Sequence, residues 1–455
     1  MKELTLSEIS TAVNGKITED CTFKGVYTDS RKPVKGGLFI ALEGDRFDGH
    51  DFIKNAEADG AAAVLCRKKA DTGLPVIYVD DTKKALLALA AYYRSKCDVK
   101  VVGLTGSVGK TTTKEMTALV MASEYNTIKT QGNLNNDIGM PLTIFTIESD
   151  TQAAVIEMGM NHSGEIYALT AVSRPDVGII TNVGVSHIEN LGSRENILKA
   201  KLEILEGMKK GSTLIINGDN DLLSQVENPD YNIVFFGMEN EKCTVKAVDV
   251  QQSAEGTECK FIYNNEKYDV YIPIAGVHNV YNALAAFCAG VYTGIEPCKA
   301  ADAIKAYVPA GMRQKTVKKN GITFIEDCYN ASPDSVKAGI NTLSSLGAKR
   351  TVAVLGDMLE LGDYSETAHS QCGEYAARKG IDVLFAYGKE SENTAKKAEE
   401  SGVKEVYHFL DENALADKIS DILCDGDAIL FKASRGMKLE NVIESVYEKL
   451  ENQGK

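Results

Sequence analysis

The architecture of this chain turns on Val99-Lys100-Val101-Val102-Gly103-Leu104-Thr105-Gly106-Ser107-Val108-Gly109-Lys110-Thr111-Thr112-Thr113-Lys114. A run of β-branched residues leads into a glycine-rich turn, and Lys110-Thr111 then opens a segment of helical character. That order suits a phosphate-binding loop: the glycines let backbone N–H groups approach an anion, and a helix N-terminus adds a favourable dipole. A lysine can then reach the outer phosphates while a Ser/Thr hydroxyl holds Mg²⁺. The commonest form of the loop carries a glycine where Leu104 stands. Strand and helix flanks on both sides argue against an incidental surface turn, so a nucleotide triphosphate is expected here.

Working outward, strands and helices alternate: Val99–Leu104, a helix after Lys110, Ala153–Glu157, a helix through Ala168, Val177–Asn182, a helix around Ile197–Leu205 and Thr213–Asn217. Such alternation predicts a mostly parallel sheet with helices on both faces. Ligands of these sheets lie at the carboxyl ends of the strands. Glu157, which ends one apolar run, and His187, which follows another, are therefore placed to meet the phosphates. Glu157 could complete a Mg²⁺ site with Thr111; His187 reads equally as a structural hydrogen bonder or a ligand. Beyond Gly218, Cys243–Val250, Glu258–Tyr263 and Tyr268–Ile272 predict an antiparallel extension. Asn279 and Asn282 share one face of the helix that opens at Gly276, where they could cap and pack it or present amides to a base.

Residues 1–97 read as a small α/β unit, with strands at Gly37–Leu42 and Ala61–Leu65 and a helix capped by Thr82. Two polar, turn-rich stretches there, Tyr27-Thr28-Asp29-Ser30-Arg31-Lys32-Pro33 and Gly44-Asp45-Arg46-Phe47-Asp48-Gly49-His50, suit a nucleotide or diphosphate head group, or are solvated loops. From Gly311 a third unit alternates again, with a last helix from Met437 and without a phosphate loop of its own. The fold class is thus α/β in three domains: 1–97 small and N-terminal, 98–310 a central P-loop ATPase-like sheet, and 311–455 Rossmann-like and doubly wound.

Composition bounds the rest. A chain of 455 residues is expected to form about two to four domains. Hydrophobic residues at 44% and charged ones at 25% are ordinary for a globular protein. A net charge of −14 argues against nucleic-acid binding. The first residues carry acids where a secretory signal needs an apolar core, and no stretch approaches the roughly 20 apolar residues of a membrane span. Ten cysteines without a Cys-x-x-Cys pair suggest neither zinc nor a disulfide framework. A cytoplasmic protein with reduced thiols and no membrane partner is expected.

Taken together, Thr105–Thr112, Glu157-Met158-Gly159, Asn182-Val183-Gly184-Val185-Ser186-His187, Gly276-Val277-His278-Asn279 with Asn282, and Gly311-Met312-Arg313 resemble the Mur ligases of peptidoglycan synthesis. That family's loop has the Thr-Gly-x-x-Gly-Lys-Thr form, so Leu104 is no departure within it. Asp29-Ser30-Arg31 with Gly37–Leu42 is similar to the N-terminal unit of the family's last two peptide-extending enzymes. Asp327-Cys328-Tyr329-Asn330-Ala331-Ser332-Pro333-Asp334-Ser335 is similar to the last of them, and the Asp-Asn-Pro-Arg sequence of the lysine- or diaminopimelate-adding member is absent.

The resemblance implies an ATP-dependent ligase that joins D-alanyl-D-alanine to a UDP-N-acetylmuramoyl-tripeptide through an acyl phosphate, in cell-wall biogenesis and hence cell shape and division. It implies catalytic roles for Lys110, His187, Lys201 and Arg313. Thr105, Gly106, Ser107, Val108, Gly109, Lys110, Thr111 and Thr112 would cradle the phosphates. Asn279 and Asn282 would approach adenine, Asp327 the ribose and Arg313 the phosphates, and Asn330 would also bind the nucleotide. One Mg²⁺ would sit between Thr111 and Glu157, and a second at His187 and Lys201, the latter N-carbamylated, or else an ammonium paired with a substrate phosphate. Asp29, Ser30 and Arg31 would recognise the uridine diphosphate; Asn133, Asn135, Asn136 and Arg194 would line the path to the peptide; Lys432, Ser434 and Arg435 would approach the dipeptide. The protein is expected to be a monomer whose substrates are small molecules. A lysine- or diaminopimelate-adding relative and a folate-type polyglutamate ligase are the rival enzymes. A nucleotide-gated switch is the rival from another class, and no stretch resembles switch loops.

Overall fold

The computed structural model describes residues 1–44, 47–253, 255–309 and 311–452. Asp45 and Arg46 of the second polar stretch, and Ala310 at the expected domain junction, lie outside them. The strand Lys100–Thr105 is buried at every position after Lys100, as a strand covered on both faces must be. It lies within a nine-stranded sheet, between Val177–Ile180 and Ala153–Glu157. Thr127–Lys129 forms the edge beyond Ala153–Glu157. On the other side follow Thr213–Asn217, Asn232–Gly237 and Val245–Gln252, all parallel, then Thr257–Tyr263 and Glu266–Ile272, antiparallel. The chain leaves Lys100–Thr105 towards one edge and later returns to build the other. A crevice therefore opens at the carboxyl end of this central strand, where such sheets bind ligands.

Two further sheets flank this one in sequence. Lys16–Ile17, Val76–Tyr78, Ala63–Cys66, Leu38–Ile40 and Val26–Tyr27 form a five-stranded sheet, parallel except for its first member. Lys315–Lys319, Ile322–Glu326, Asp427–Lys432, Arg350–Gly356, Val383–Tyr387 and Glu405–Phe409 form a six-stranded one, again antiparallel only at Lys315–Lys319. Leu4–Thr5 pairs with Thr22–Phe23.

The helix Thr82–Ser95 ties the first unit to the second. Its cap is Asp81, whose carboxylate accepts from Lys83 N and Lys84 N; Thr82, the expected cap, is the first helical residue. Aspartate wins because its side chain satisfies two of the orphaned N–H groups at once. Tyr93 is fully buried and donates to Ile147 O at 2.6 Å, while Arg94 donates to Ser173 O at 2.9 Å. One apolar cluster consequently runs unbroken from Leu6 through Tyr93 to Ile144 and Ile216. On the opposite face of the nine-stranded sheet lies Val277–Tyr292, a helix rich in small residues. A Cβ on its Gly290 would come within 2.4 Å of Val120, so glycine sets how closely it approaches the helix Lys110–Ala122.

Other expectations needed correction. Beyond Gly218 the sheet continues in parallel register through Asn232–Gly237 and Val245–Gln252, and antiparallel pairing begins only at Thr257–Tyr263. The last helix is Leu439–Asn452, because Arg435–Met437 forms a separate 3-10 turn and Lys438 turns left-handed at φ 49°. No helix among the described residues is long and apolar enough to cross a membrane.

Candidate active site

A cleft of about 1280 Å³ runs between the carboxyl ends of the second and third sheets. That exceeds an ordinary small-molecule site of about 300–1,000 Å³, leaving room for several reactants side by side. Its floor is the loop after Lys100–Thr105. Gly109 precedes the helix Lys110–Ala122 with φ 81°, and a Cβ there would meet Asn282 Oδ1 at 2.4 Å, so only glycine fits. The first turn of that helix presents its N–H groups to the cleft, the arrangement an anion needs. Ser107 N and Val108 N donate to Asn182 Oδ1 at 3.0 and 2.9 Å, and Thr181 Oγ1 donates to Val108 O. The strand Val177–Ile180 thereby holds the loop in shape through its two following residues.

Lys110 folds back on this loop, donating from Nζ to Gly106 O at 2.8 Å. Burial lowers its pKa, and Glu157 opposes the shift. Glu157 ends its strand 2% exposed. Its Oε1 accepts from Asn135 Nδ2 at 2.8 Å and from Thr111 Oγ1 at 3.4 Å. Its Oε2 has no hydrogen-bond partner, and Lys114 Nζ stands 3.8 Å away. A buried carboxylate oxygen without a partner, beside a threonine hydroxyl, is the oxygen donor set that a hard cation accepts.

Lys201 is 1% exposed. Burial pushes its pKa well below the ordinary lysine value, and the charge of Lys110 pushes the same way. His187 adopts φ 62°, unusual outside glycine. Its Nδ1 lies 2.7 Å from Glu360 Oε2, off the angle a hydrogen bond requires. Burial and the nearby Lys110 lower the pKa of His187, against the pull of Glu360.

The third sheet supplies the facing wall. Lys432, 2% exposed, is held by Asp327 Oδ2 at 2.7 Å and by the carbonyls of Asp327 and Asn330. The Arg313 guanidinium lies over the Tyr329 ring at 3.9 Å, and Arg435 pairs with Glu440 at 2.7 Å. Asn282 Nδ2 donates to Asn279 Oδ1 at 3.1 Å, and Thr113 Oγ1 donates to Asn282 Oδ1. The two amides thus pack the helix N-terminus while also lining the cleft.

Most of the expected residues meet in this cleft: Ser107–Thr112, Asn133, Asn135, Asn136, Glu157, His187, Arg194, Asn279, Asn282, Arg313, Asp327, Asn330, Lys432, Ser434 and Arg435. Thr105, Gly106 and Lys201 do not line the cleft, and Thr105 and Lys201 are buried. Asp29, Ser30 and Arg31 are apart from it, after the strand Val26–Tyr27. There Arg31 donates from Nε and Nη2 to Asp29, at 2.9 and 2.8 Å, and holds its carboxyl down at about 2. The first unit reaches the cleft through Lys83, paired with Asp137.

Sequence reasoning missed Gln314, whose Oε1 accepts from Asn279 Nδ2 at 2.7 Å and contacts His278 Nε2 at 2.9 Å. Its place directly after Arg313 was the available signal. Lys83, Lys114 and Glu360 were missed as well, each visible only once distant segments meet.

Residues 22–94 match the Mur ligase family, catalytic domain; 104–290 the Mur ligase middle domain; and 312–435 the Mur ligase, glutamate ligase domain. The chain is similar to the UDP-N-acetylmuramoyl-tripeptide–D-alanyl-D-alanine ligase of Bacillus subtilis (strain 168), 42% identical, over 98% of this chain and 99% of that one. Among solved structures it is similar to MurF from Acinetobacter baumannii, with TM-score 0.91 and 30% identity over 98% of this chain and 99% of that one. It is also similar to MurF from Thermotoga maritima in complex with ADP, with TM-score 0.85 and 28% identity over 94% and 98% of the two chains. With three family domains matched in order along its length, the chain belongs to the Mur ligase family.

Proposed function

We propose that the chain joins D-alanyl-D-alanine to a UDP-N-acetylmuramoyl-tripeptide, converting ATP to ADP and phosphate, as a monomer in the cytoplasm. The observation that carries this reading is the 42% identity, over nearly the whole of both chains, to a relative whose name states that reaction. The ADP-bound neighbour supports the choice of nucleotide. We also place the domain junctions near residues 97 and 310, beside the gaps between the matched family regions.

In this reaction the tripeptide's terminal carboxylate forms a bond to the γ-phosphorus, and the bond from that phosphorus to the β-bridging oxygen breaks. The dipeptide's neutral amine then attacks the carbonyl carbon of the acyl phosphate, the C–N bond forms, phosphate leaves with the C–O bond pair, and the nitrogen gives up a proton. The protein's problem is electrostatic, since one anion must approach another. Lys110 and the N–H groups of the helix Lys110–Ala122 hold the outer phosphates and spread their charge. Arg313, steadied by Tyr329, reaches the same phosphates from the facing domain. Asn279 and Asn282 border the base, and Asp327 and Asn330 the ribose. Asn133, Asn135, Asn136 and Arg194 line the peptide path, Asp29, Ser30 and Arg31 take the uridine diphosphate, and Lys432, Ser434 and Arg435 border the dipeptide. Because Arg313 and Asp327 come from the third domain, closure completes the site and excludes water.

Thr111 and Glu157 would hold one Mg²⁺, with His187 and Lys201 holding a second. Bound there, Mg²⁺ would neutralise charge between the phosphates and the attacking carboxylate. Lys201 suits carbamylation because burial favours its neutral amine, and a neutral amine attacks carbon dioxide where an ammonium does not. The reading is tested by ADP release with the UDP-tripeptide, with and without D-alanyl-D-alanine. Release that requires the dipeptide is expected; turnover with free lysine or diaminopimelate as the acceptor instead would overturn it.

A further inference from the structure

The segment from Asp357 to Gly362, which follows the strand Arg350–Gly356, is fastened at nearly every residue. Asp357 Oδ1 accepts from Ser391 N and Oγ at 2.8 and 2.6 Å. Met358 N donates to His369 Nε2 at 3.0 Å, and Leu359 N donates to Ser434 Oγ at 2.9 Å. Leu361 is buried, and Gly362, at φ 51°, leaves no room for a Cβ beside Glu189. Between these anchors Glu360 stands at φ 63°, a conformation that costs a non-glycine residue energy and persists only where its surroundings enforce it. The result is a carboxylate aimed into the cleft, 57% exposed.

Its surroundings show what it is free to do. The third domain brings three carboxylates to the cleft. Asp327 is bonded to Lys432, and Asp334 packs against Gly184. Glu360 has one ion-pair contact among the described residues, the misaligned approach to His187. Across the hydrogen bond from Leu359 N to Ser434 Oγ, Ser434 and Arg435 also line the cleft, the Arg435 guanidinium beside Glu440. The two charged ends of a dipeptide are separated by about 7 Å, roughly two residues of extended chain. A wall of cations alone would repel the amino end of such a molecule; this wall offers an opposite charge to each end.

We propose that Glu360 receives the amino group of the incoming D-alanyl-D-alanine, leaving His187 as it does so, while Ser434 and Arg435 take the carboxylate. The proposal rests on the ligation reading above and adds to it the residue that positions the attacking amine.

Glu360→Gln preserves shape and removes the charge. Hydrogen bonds to charged groups contribute about 1.5–3 kcal/mol, so the KM for the dipeptide is expected to rise about ten- to a hundredfold. The KM values for ATP and the UDP-tripeptide should stay put. Exchange of the β,γ-bridging oxygen of ATP, supported by the UDP-tripeptide alone, should also persist. As a second measurement, propionyl-D-alanine, which lacks only the amino group, should inhibit wild type and Glu360→Gln equally. An unchanged dipeptide KM overturns the proposal, as does loss of the exchange reaction or a raised Mg²⁺ requirement, either of which would assign Glu360 to the phosphate end. Wild type that fails to join the dipeptide at all overturns the ligation reading and this proposal together.

Discussion

The two sheets that face each other across the cleft solve opposite electrostatic problems. At the carboxyl ends of the central sheet, charge is left unbalanced. Lys201 is buried with its pKa driven down, Lys110 rests on backbone carbonyls, and Glu157 keeps one oxygen without a hydrogen bond. At the matching ends of the third sheet, Lys432 is paired with Asp327 and Arg435 with Glu440, and Asp357 accepts hydrogen bonds from Ser391. Both are doubly wound α/β layers, yet in the function proposed above one is completed by ATP and cations while the other holds its own geometry. The paired side acts as a rigid frame that carries Arg313, Ser434 and Glu360 to the unpaired side.

Three substitutions probe that contrast, beginning with the largest effect. Lys110→Ala removes the cation nearest the phosphate loop, and turnover should fall about a thousandfold, the upper range for loss of one positioned donor. Lys201→Met should lose a comparable share of activity while leaving stability within about 1 kcal/mol of wild type or above it, because it replaces a buried unpaired amine with an apolar chain. Equal losses of activity and stability, read by turnover and denaturant unfolding, would place Lys201 in the frame rather than the unfinished half.

On the paired side, Asp327→Asn should behave in the reverse sense. It strands the buried Lys432 ammonium beside two carbonyls, and denaturant unfolding should show a loss of about 3 kcal/mol, in the range for breaking a buried pair. A loss no larger than that of Lys201→Met would erase the distinction between the two sheets.

The smallest effect is expected at Asp29, outside the cleft. Its folded pKa, about 2, lies below the model-peptide 3.8, so its contribution to stability is present above 3.8 and fades as the pH falls towards 2. Both partners face solvent, and Asp29→Asn should therefore cost no more than about 0.5 kcal/mol at neutral pH. A larger loss would give the Asp29–Arg31 pair a structural role that its exposure does not suggest.

How much of this could be read in advance depended on whether the signal was local. The strand–loop–helix was legible because strand, glycines, lysine and helix are contiguous between Val99 and Lys114, and the place of Glu157 at a strand end because a carboxylate ends an apolar run. Thr82 misled because two capping residues stand side by side, and only the structure shows that Asp81 accepts both helix amides. Thr127–Lys129 escaped notice as a strand of three half-buried residues without alternation. The register of Val245–Gln252 depends on which neighbour it meets, which no periodicity encodes. Gln314, Lys114 and Glu360 acquire their positions only through contacts with distant segments, at Asn279, Glu157 and His187.

The most direct test of a site that waits for a polyanion before it acts is isotope exchange within ATP. Oxygen labelled in the β,γ-bridge should scramble to non-bridging positions in the presence of the UDP-tripeptide without any dipeptide, and should cease when the tripeptide's terminal carboxylate is amidated. Scrambling that ignores the carboxylate, or that appears only after the dipeptide is added, would contradict an acyl phosphate formed at Lys110.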